Sequence, residues 1–271
     1  SEAVASGDSC YLVYMGSATQ TVTAPAGSIV SGQIANATLA LPSGLTVVGD
    51  TGIGTTSPSQ KLHVSASNPF LELQGTASTS GDTGIFLNAN ANHWILKADN
   101  YSSTNAFQIK QGDTSSSTAY MTINSIGAVT KPLQPAFLVF STDSNSFPVN
   151  DTRLMTLDTE VFDQNSDVAS NVFTAPVTGR YNLSLSMYFT DVQDDAIYLE
   201  VYLTTSNRTY YFIIDPEAMF ERVSSYHTIT ASVLADMDAS DTASVSYRQS
   251  GGTASTDFNG SDSFFSGFLA C

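Results

Sequence analysis

From residue 132 to residue 271 this chain contains no lysine. Residues 1–134 carry seven acids against four lysines, whereas residues 135–271 carry eighteen acids against five arginines, so about −13 of the net −16 sits in the C-terminal half. Nucleic acids and anionic membranes are held through clustered Lys and Arg, and such a surface repels both. Cations or neutral glycans suit it better as partners. Cysteine is almost absent: Cys10 and Cys271 lie near opposite ends, which excludes a disulfide framework and the paired clusters of a zinc site and points to free thiols. No apolar run reaches the roughly 20 residues of a membrane-spanning helix, and Ser1-Glu2-Ala3 is not followed by a basic flank and apolar core, so neither membrane insertion nor an export signal is expected. His63, His93 and His227 stand singly, without His-x-x-x-His spacing or a Gly-x-Ser-x-Gly nucleophile turn, and no catalytic residue is assigned. Trp94, the one tryptophan, lies in an apolar run and reads as core.

What is present is the signature of an all-β chain. Val, Ile, Thr, Tyr and Phe recur in short alternating runs bounded by Gly, Asn, Asp and Ser. Residues 1–48 hold scattered apolar clusters too thin for a private core, which suits an attachment segment covered by copies of itself or by another protein. Residues 49–131 form a joint and a central β module. Its five expected strands are Phe70–Leu73, Gly84–Leu87, Trp94–Lys97, Phe107–Lys110 and Tyr120–Ile123. Lys131-Pro132-Leu133-Gln134-Pro135 reads as a stiff linker. Residues 132–271 then hold eight strand patterns, enough for an antiparallel sandwich or jelly roll.

The stretch Thr51-Gly52-Ile53-Gly54-Thr55-Thr56-Ser57-Pro58-Ser59-Gln60-Lys61-Leu62-His63-Val64 admits two readings. A Gly-x-Gly turn cradles phosphate where it opens a helix, but here Pro58 and the alternation from Lys61 to Val64 favour extended chain, and no Gly-Lys-Ser/Thr end follows. The segment resembles the Gly-Ile-Gly-Thr-Thr-Ser-Pro-Ser-x-Lys-Leu-x-Val element of bacteriophage tail-fibre and tailspike chains. Ile126-Gly127-Ala128-Val129 echoes it faintly, as a second joint would.

A second resemblance covers residues 135–271. Phe173-Thr174-Ala175-Pro176-Val177-Thr178-Gly179-Arg180-Tyr181 is similar to the Phe-x-Ala-Pro-x-x-Gly-x-Tyr signature of the C-one-q and tumour-necrosis-factor jelly rolls, and Phe264-Phe265-Ser266-Gly267-Phe268-Leu269 to their closing strand. Where that family has Gly-Asp, this chain has Ser240-Asp241, which fits only if the turn does not require positive φ. Both resemblances imply a parallel homotrimer, with the surplus aromatics Tyr198, Tyr202, Tyr210, Phe212, Phe265 and Phe268 partly at subunit interfaces.

The implied reading is a virion-borne fibre, assembled in the reducing cytoplasm of a bacterial host. Its N-terminus would dock on a virion tail or capsid protein, and its head would bind a host-surface glycan or protein. Jelly-roll topology places Asp191, Asp194 and Asp195 at the apex, where a hard cation such as Ca²⁺ would relieve their repulsion. Phe220, Arg222, Thr256, Phe258 and Asn259 are the expected receptor contacts, and no organic cofactor is implied. The alternatives are a capsid or tail decoration protein without receptor binding, and a polysaccharide depolymerase, for which the long repetitive solenoid is missing.

Overall fold

The computed structural model describes residues 47, 49–75, 83–89, 92–99, 105–112 and 118–271; the expected attachment segment of residues 1–48 lies, apart from Val47, outside them. The chain divides into two compact units, Ser1–Leu71 and Glu72–Cys271.

In the first unit, β1 (Thr51–Ile53) pairs in parallel with β2 (Leu62–Val64). The loop between them opens at Gly54, whose φ is 79°, and a Cβ there would collide with the Ser65 carbonyl oxygen, so only glycine fits. Strand follows this glycine turn, and among the described residues of this unit there is no helix to present N–H groups to a phosphate. Phe70–Leu73 is not a strand, contrary to expectation: the chain there lacks a ladder, and Phe70 is almost fully exposed.

The second unit begins with an antiparallel meander in chain order, β3 (Thr83–Ala89), β4 (Asn92–Asp99), β5 (Ala106–Gln111), β6 (Ala119–Ile123) and β7 (Val129–Thr130). The Ile126–Val129 stretch is the end of the hairpin turn between β6 and β7 and the first residue of β7. There Asn124 Oδ1 accepts the Ile126 and Ala128 amides at 3.1 and 2.8 Å, and Gly127 has a φ of 84°. Ile95, Ala106 and the stems of Lys97 and Lys110 are buried, yet the consecutive Ile85, Phe86 and Leu87, which alternate between faces, are all exposed.

Residues 136–269 form two stacked sheets. The first has the order β11 (Thr159–Asp163), β8 (Ala136–Phe140), β19 (Asp257–Leu269), β14 (Gly179–Val192), β17 (Ser224–Met237), with β9 (Ser144–Ser146) also on β19. The second has the order β12 (Val168–Ala169), β13 (Val172–Thr174), β18 (Thr242–Gly251), β15 (Ala196–Thr205), β16 (Thr209–Ile214), with β10 (Thr152–Leu154) on β18. This crossing of consecutive strands between sheets is a jelly roll. Alternate residues fill the space between the sheets: Tyr181, Leu183, Leu185, Met187 and Phe189 from β14 meet Leu199, Val201 and Leu203 from β15. Phe137 stacks on Phe173 at 4.6 Å, and each such fully buried side chain contributes about 1.5–3 kcal/mol of burial.

The expected eight strands are present, with four further short ones: β9, β11, β12 and β13. The alternation of β11 is broken by a bulge at Glu160 to Phe162, which hides it from a periodicity reading. Ser240 does require positive φ, at 76°, contrary to the condition under which serine was expected to fit. The turn is held by neighbours: the Ser240 amide donates to Ala175 O at 2.7 Å, and the Asp241 carboxylate accepts the Asp238 amide at 2.9 Å. The proline-flanked linker is strapped down. Gln164 Nε2 donates to the carbonyls of Lys131 (2.9 Å) and Gln134 (2.8 Å), and Asn165 Nδ2 donates to Leu133 O at 3.3 Å.

Candidate functional site

Strand register gathers one set of loops. Thr190 of β14 lies opposite Tyr226 and Asp257, Ala196 opposite Gly251, and Asp257 opposite Ser146. The loops around 141–147, 191–195, 215–225 and 250–258 therefore share one end of the sandwich. Pro135 and Leu269 meet at the other, where the Leu269 amide donates to Pro135 O at 3.0 Å.

A buried amide organises this apex. Gln249, on the inward face of β18, donates through Nε2 to Gly251 O (2.9 Å) and Ala254 O (2.8 Å) and accepts the Thr256 amide on Oε1 (2.8 Å). Asn150 Oδ1 accepts the Gly251 amide at 3.1 Å, and Asp195 Oδ2 accepts the Thr253 amide at 2.9 Å. The 250–256 loop is thus fixed by side chains from three other segments. Gln249 and Asn150 were missed in the sequence. The available signal was a glutamine at a core position of an alternating strand.

Of the expected receptor contacts, Thr256 and Phe258 are fully buried, which corrects their assignment. Phe258 points inward against Tyr247 (4.6 Å) and Phe189 (5.9 Å), and Thr256 closes the Gln249 knot. Asn259 is half-buried, and its side chain accepts from the Ser261 hydroxyl at 2.8 Å. Phe220 and Arg222 do come together. They line a hollow of about 700 Å³ formed by residues 219–226, just after α1 (Pro216–Met219), whose N-cap Asp215 accepts the Ala218 amide at 3.1 Å. Phe220 rests its ring 5.5 Å from His227, and burial lowers the His227 pKa, so that ring is neutral at pH 7. Arg222 is exposed at the rim.

The acidic turn is dispersed. Asp191 is exposed, with a φ of 51°, its carbonyl held by Gln193 Nε2 at 2.7 Å; Asp194 is half-buried and Asp195 is engaged with Thr253. Among the described residues no three His, Cys, Asp or Glu side chains gather so as to hold a metal ion.

The outward face of the first sheet carries an apolar surface. Leu138, Phe140, Phe162, Phe264 and Phe268 line a groove of about 460 Å³ on it, with Phe268 50 % exposed and Leu234, further across, 58 %. Towards the apex the same face carries Tyr188 stacked on Tyr226 at 6.2 Å. Of the aromatics expected in part at subunit interfaces, Phe268 is on this face, Phe265 is buried in the core, and Tyr198, Tyr202, Tyr210 and Phe212 belong to the second sheet.

No family model matches the chain, and no curated protein does. Among solved structures, the globular domain of zebrafish complement 1qA aligns over 51 % of this chain and 98 % of its own length, at 16 % identity and a TM-score of 0.38. Murine APRIL, in its crystal structure at pH 8.0, aligns over 50 % of this chain and 98 % of its own, at 12 % identity and a TM-score of 0.38. The chain is similar to these domains at that level, and its own strand order is what establishes the jelly roll.

Proposed function

We propose that this is a phage fibre protein whose trimeric jelly-roll head binds a glycan or protein on the host surface, with residues 1–48 docking on a tail or capsid protein of the virion. The observation that carries the reading is the apolar outer face of the β11-β8-β19-β14-β17 sheet. Phe162, Leu234 and Phe268 are exposed and Leu138, Phe140 and Phe264 only half-buried, and an apolar patch of this kind marks an assembly surface. Three copies closing around an axis would bury it and set their apex loops side by side. The resemblance of residues 51–64 to a tail-fibre element supports the virion half of the reading. Three weak apex sites on one particle would give lasting adhesion through avidity, without any bond-making chemistry.

The test has two arms. Light scattering of the full chain should give three times the chain mass, and the purified trimer should compete with virions for adsorption to host bacteria. A folded monomer at micromolar concentration would overturn the assembly. A trimer that loads onto virions yet never binds cells would overturn the adhesion and leave a decoration protein.

A further inference from the structure

We propose that the outward face of the second sheet carries a separate binding platform for a neutral glycan, built from Glu200, Arg248, Tyr198, Tyr202, Tyr211 and Ile213. Three strands supply it in register: Arg248 of β18, Glu200 of β15 and Ile213 of β16 form one row, and Ser246, Tyr202 and Tyr211 form the next. Glu200 is 6 % exposed although it lies on the outward face, because the Tyr202 hydroxyl donates to its carboxylate and Arg248 Nη1 stands 3.9 Å away. Arg248 also lies over the Tyr198 ring at 5.9 Å, while its Nε–H is buried without a partner in the chain. That Nε–H is enclosed, but the Arg248 side chain as a whole stays 31 % exposed, so it can meet a ligand oxygen at the surface. Beside this polar centre, Tyr211 is 59 % and Ile213 57 % exposed, and Tyr211 is held edge-to-face against Tyr202 at 5.3 Å.

These features select the occupant. A pyranose ring offers a C–H face to an aromatic ring and a rim of hydroxyls to fixed donors and acceptors, and this surface presents both within two strand spacings. Its serines, Ser244, Ser246 and Ser250, alternate along β18 beside the rings. The Arg248 charge is already balanced by Glu200, and the chain carries −16 overall, so an acidic polymer is disfavoured. A stable protein interface buries about 800 Å² on each partner, far beyond what a few exposed apolar side chains supply. Rigid rings anchored by a buried carboxylate lose little freedom on binding. The platform lies on the outward face of the second sheet and shares no residue with the 219–226 hollow, so it does not depend on the apex being the receptor site.

The experiment is calorimetric titration of the full chain with neutral oligosaccharides (maltohexaose, laminarihexaose, chitohexaose) and, as the acidic probe, hexagalacturonate. Four chains are compared: wild type, Tyr211→Ala, Arg248→Gln and the apex variant Arg222→Ala. Circular dichroism and light scattering check that each is folded and unchanged in assembly. At least one neutral probe should bind, with affinity falling about tenfold or more in Tyr211→Ala and Arg248→Gln and unchanged in Arg222→Ala. The proposal is overturned if no neutral probe binds at 10 mM, roughly a hundredfold above a Kd of about 0.1 mM. It is equally overturned if binding survives both flank substitutions, if only hexagalacturonate binds, or if Tyr211→Ala changes the oligomeric state, which would make the flank a contact between copies. Loss of binding in Arg222→Ala alone would move the glycan to the apex, leaving the adhesion reading standing and this one not.

Discussion

Single residues decide several properties of the head. Ser240 sits at a φ of 76°, a left-handed conformation that costs a residue with a Cβ roughly 1–2 kcal/mol. Replacing it with glycine should raise stability by up to about 1 kcal/mol once the extra freedom of the unfolded glycine is deducted, read as a shift of the denaturant midpoint. Gln249 is the opposite case. Gln249→Leu keeps the volume but leaves the Thr256 amide and two carbonyls unmatched, so a loss of about 2–4 kcal/mol is expected, with faster hydrogen exchange at the Thr256 amide. Tyr202 and Tyr247 both have their pKa pushed up to about 12, first by burial, then by Glu200 for Tyr202 and by the Asp143 charge for Tyr247. A raised folded pKa favours the neutral phenol, so their contribution is complete below about pH 10 and disappears as pH climbs towards 12. Melting followed from pH 9 to 12 should fall across that window, and Tyr202→Phe should flatten the fall.

Elements were legible where alternation is long and uninterrupted. Tyr181 to Thr190 and Ala196 to Thr205 announce themselves because every second residue enters the core, and the Phe173 to Tyr181 signature fixes where the first of them begins. Phe70–Leu73 shows the same local pattern but gains no partner strand, since period alone cannot say what a run pairs with. The site was half legible. Loop positions followed from counting strands, while Phe258 was read as part of a Ser250–Asp262 loop because β19 begins at Asp257 and is interrupted by an irregularity opposite Ser186 to Tyr188. The Glu200–Arg248 pair could not be read at all, because its members lie 48 positions apart and meet only across a ladder. At the turn between β11 and β12, burial and then the neighbouring Asp163 charge raise the pKa of Asp167, whose Oδ2 is buried without a partner. Its protonated form is the one the fold favours, so stability from this group is present at low pH and lost as pH rises through the shifted pKa. Asp167→Asn should therefore raise the melting midpoint at pH 7 and leave it unchanged near pH 3.

For the whole molecule, the proposed trimer would close the exposed apolar faces on both the central meander and the head, and so tie folding to association. Melting temperature should rise with chain concentration, as mass action requires when the folded form is the assembled one. Phe268→Asp, on the outward face, should shift the head towards monomer without disturbing the inward core. Light scattering and circular dichroism read together would check both halves of that expectation. The strapped linker has a mechanical consequence. In the proposed fibre, tension between an anchored N-terminus and an attached cell would enter the head at Pro135 and run along β8, which lies antiparallel between β11 and β19. That is a lap joint loaded in shear: the ladder bonds on both sides of β8 stretch together, so none can be peeled singly. Rupture under load then follows the slow unfolding rate of the sandwich, and the grip outlasts any one of its contacts.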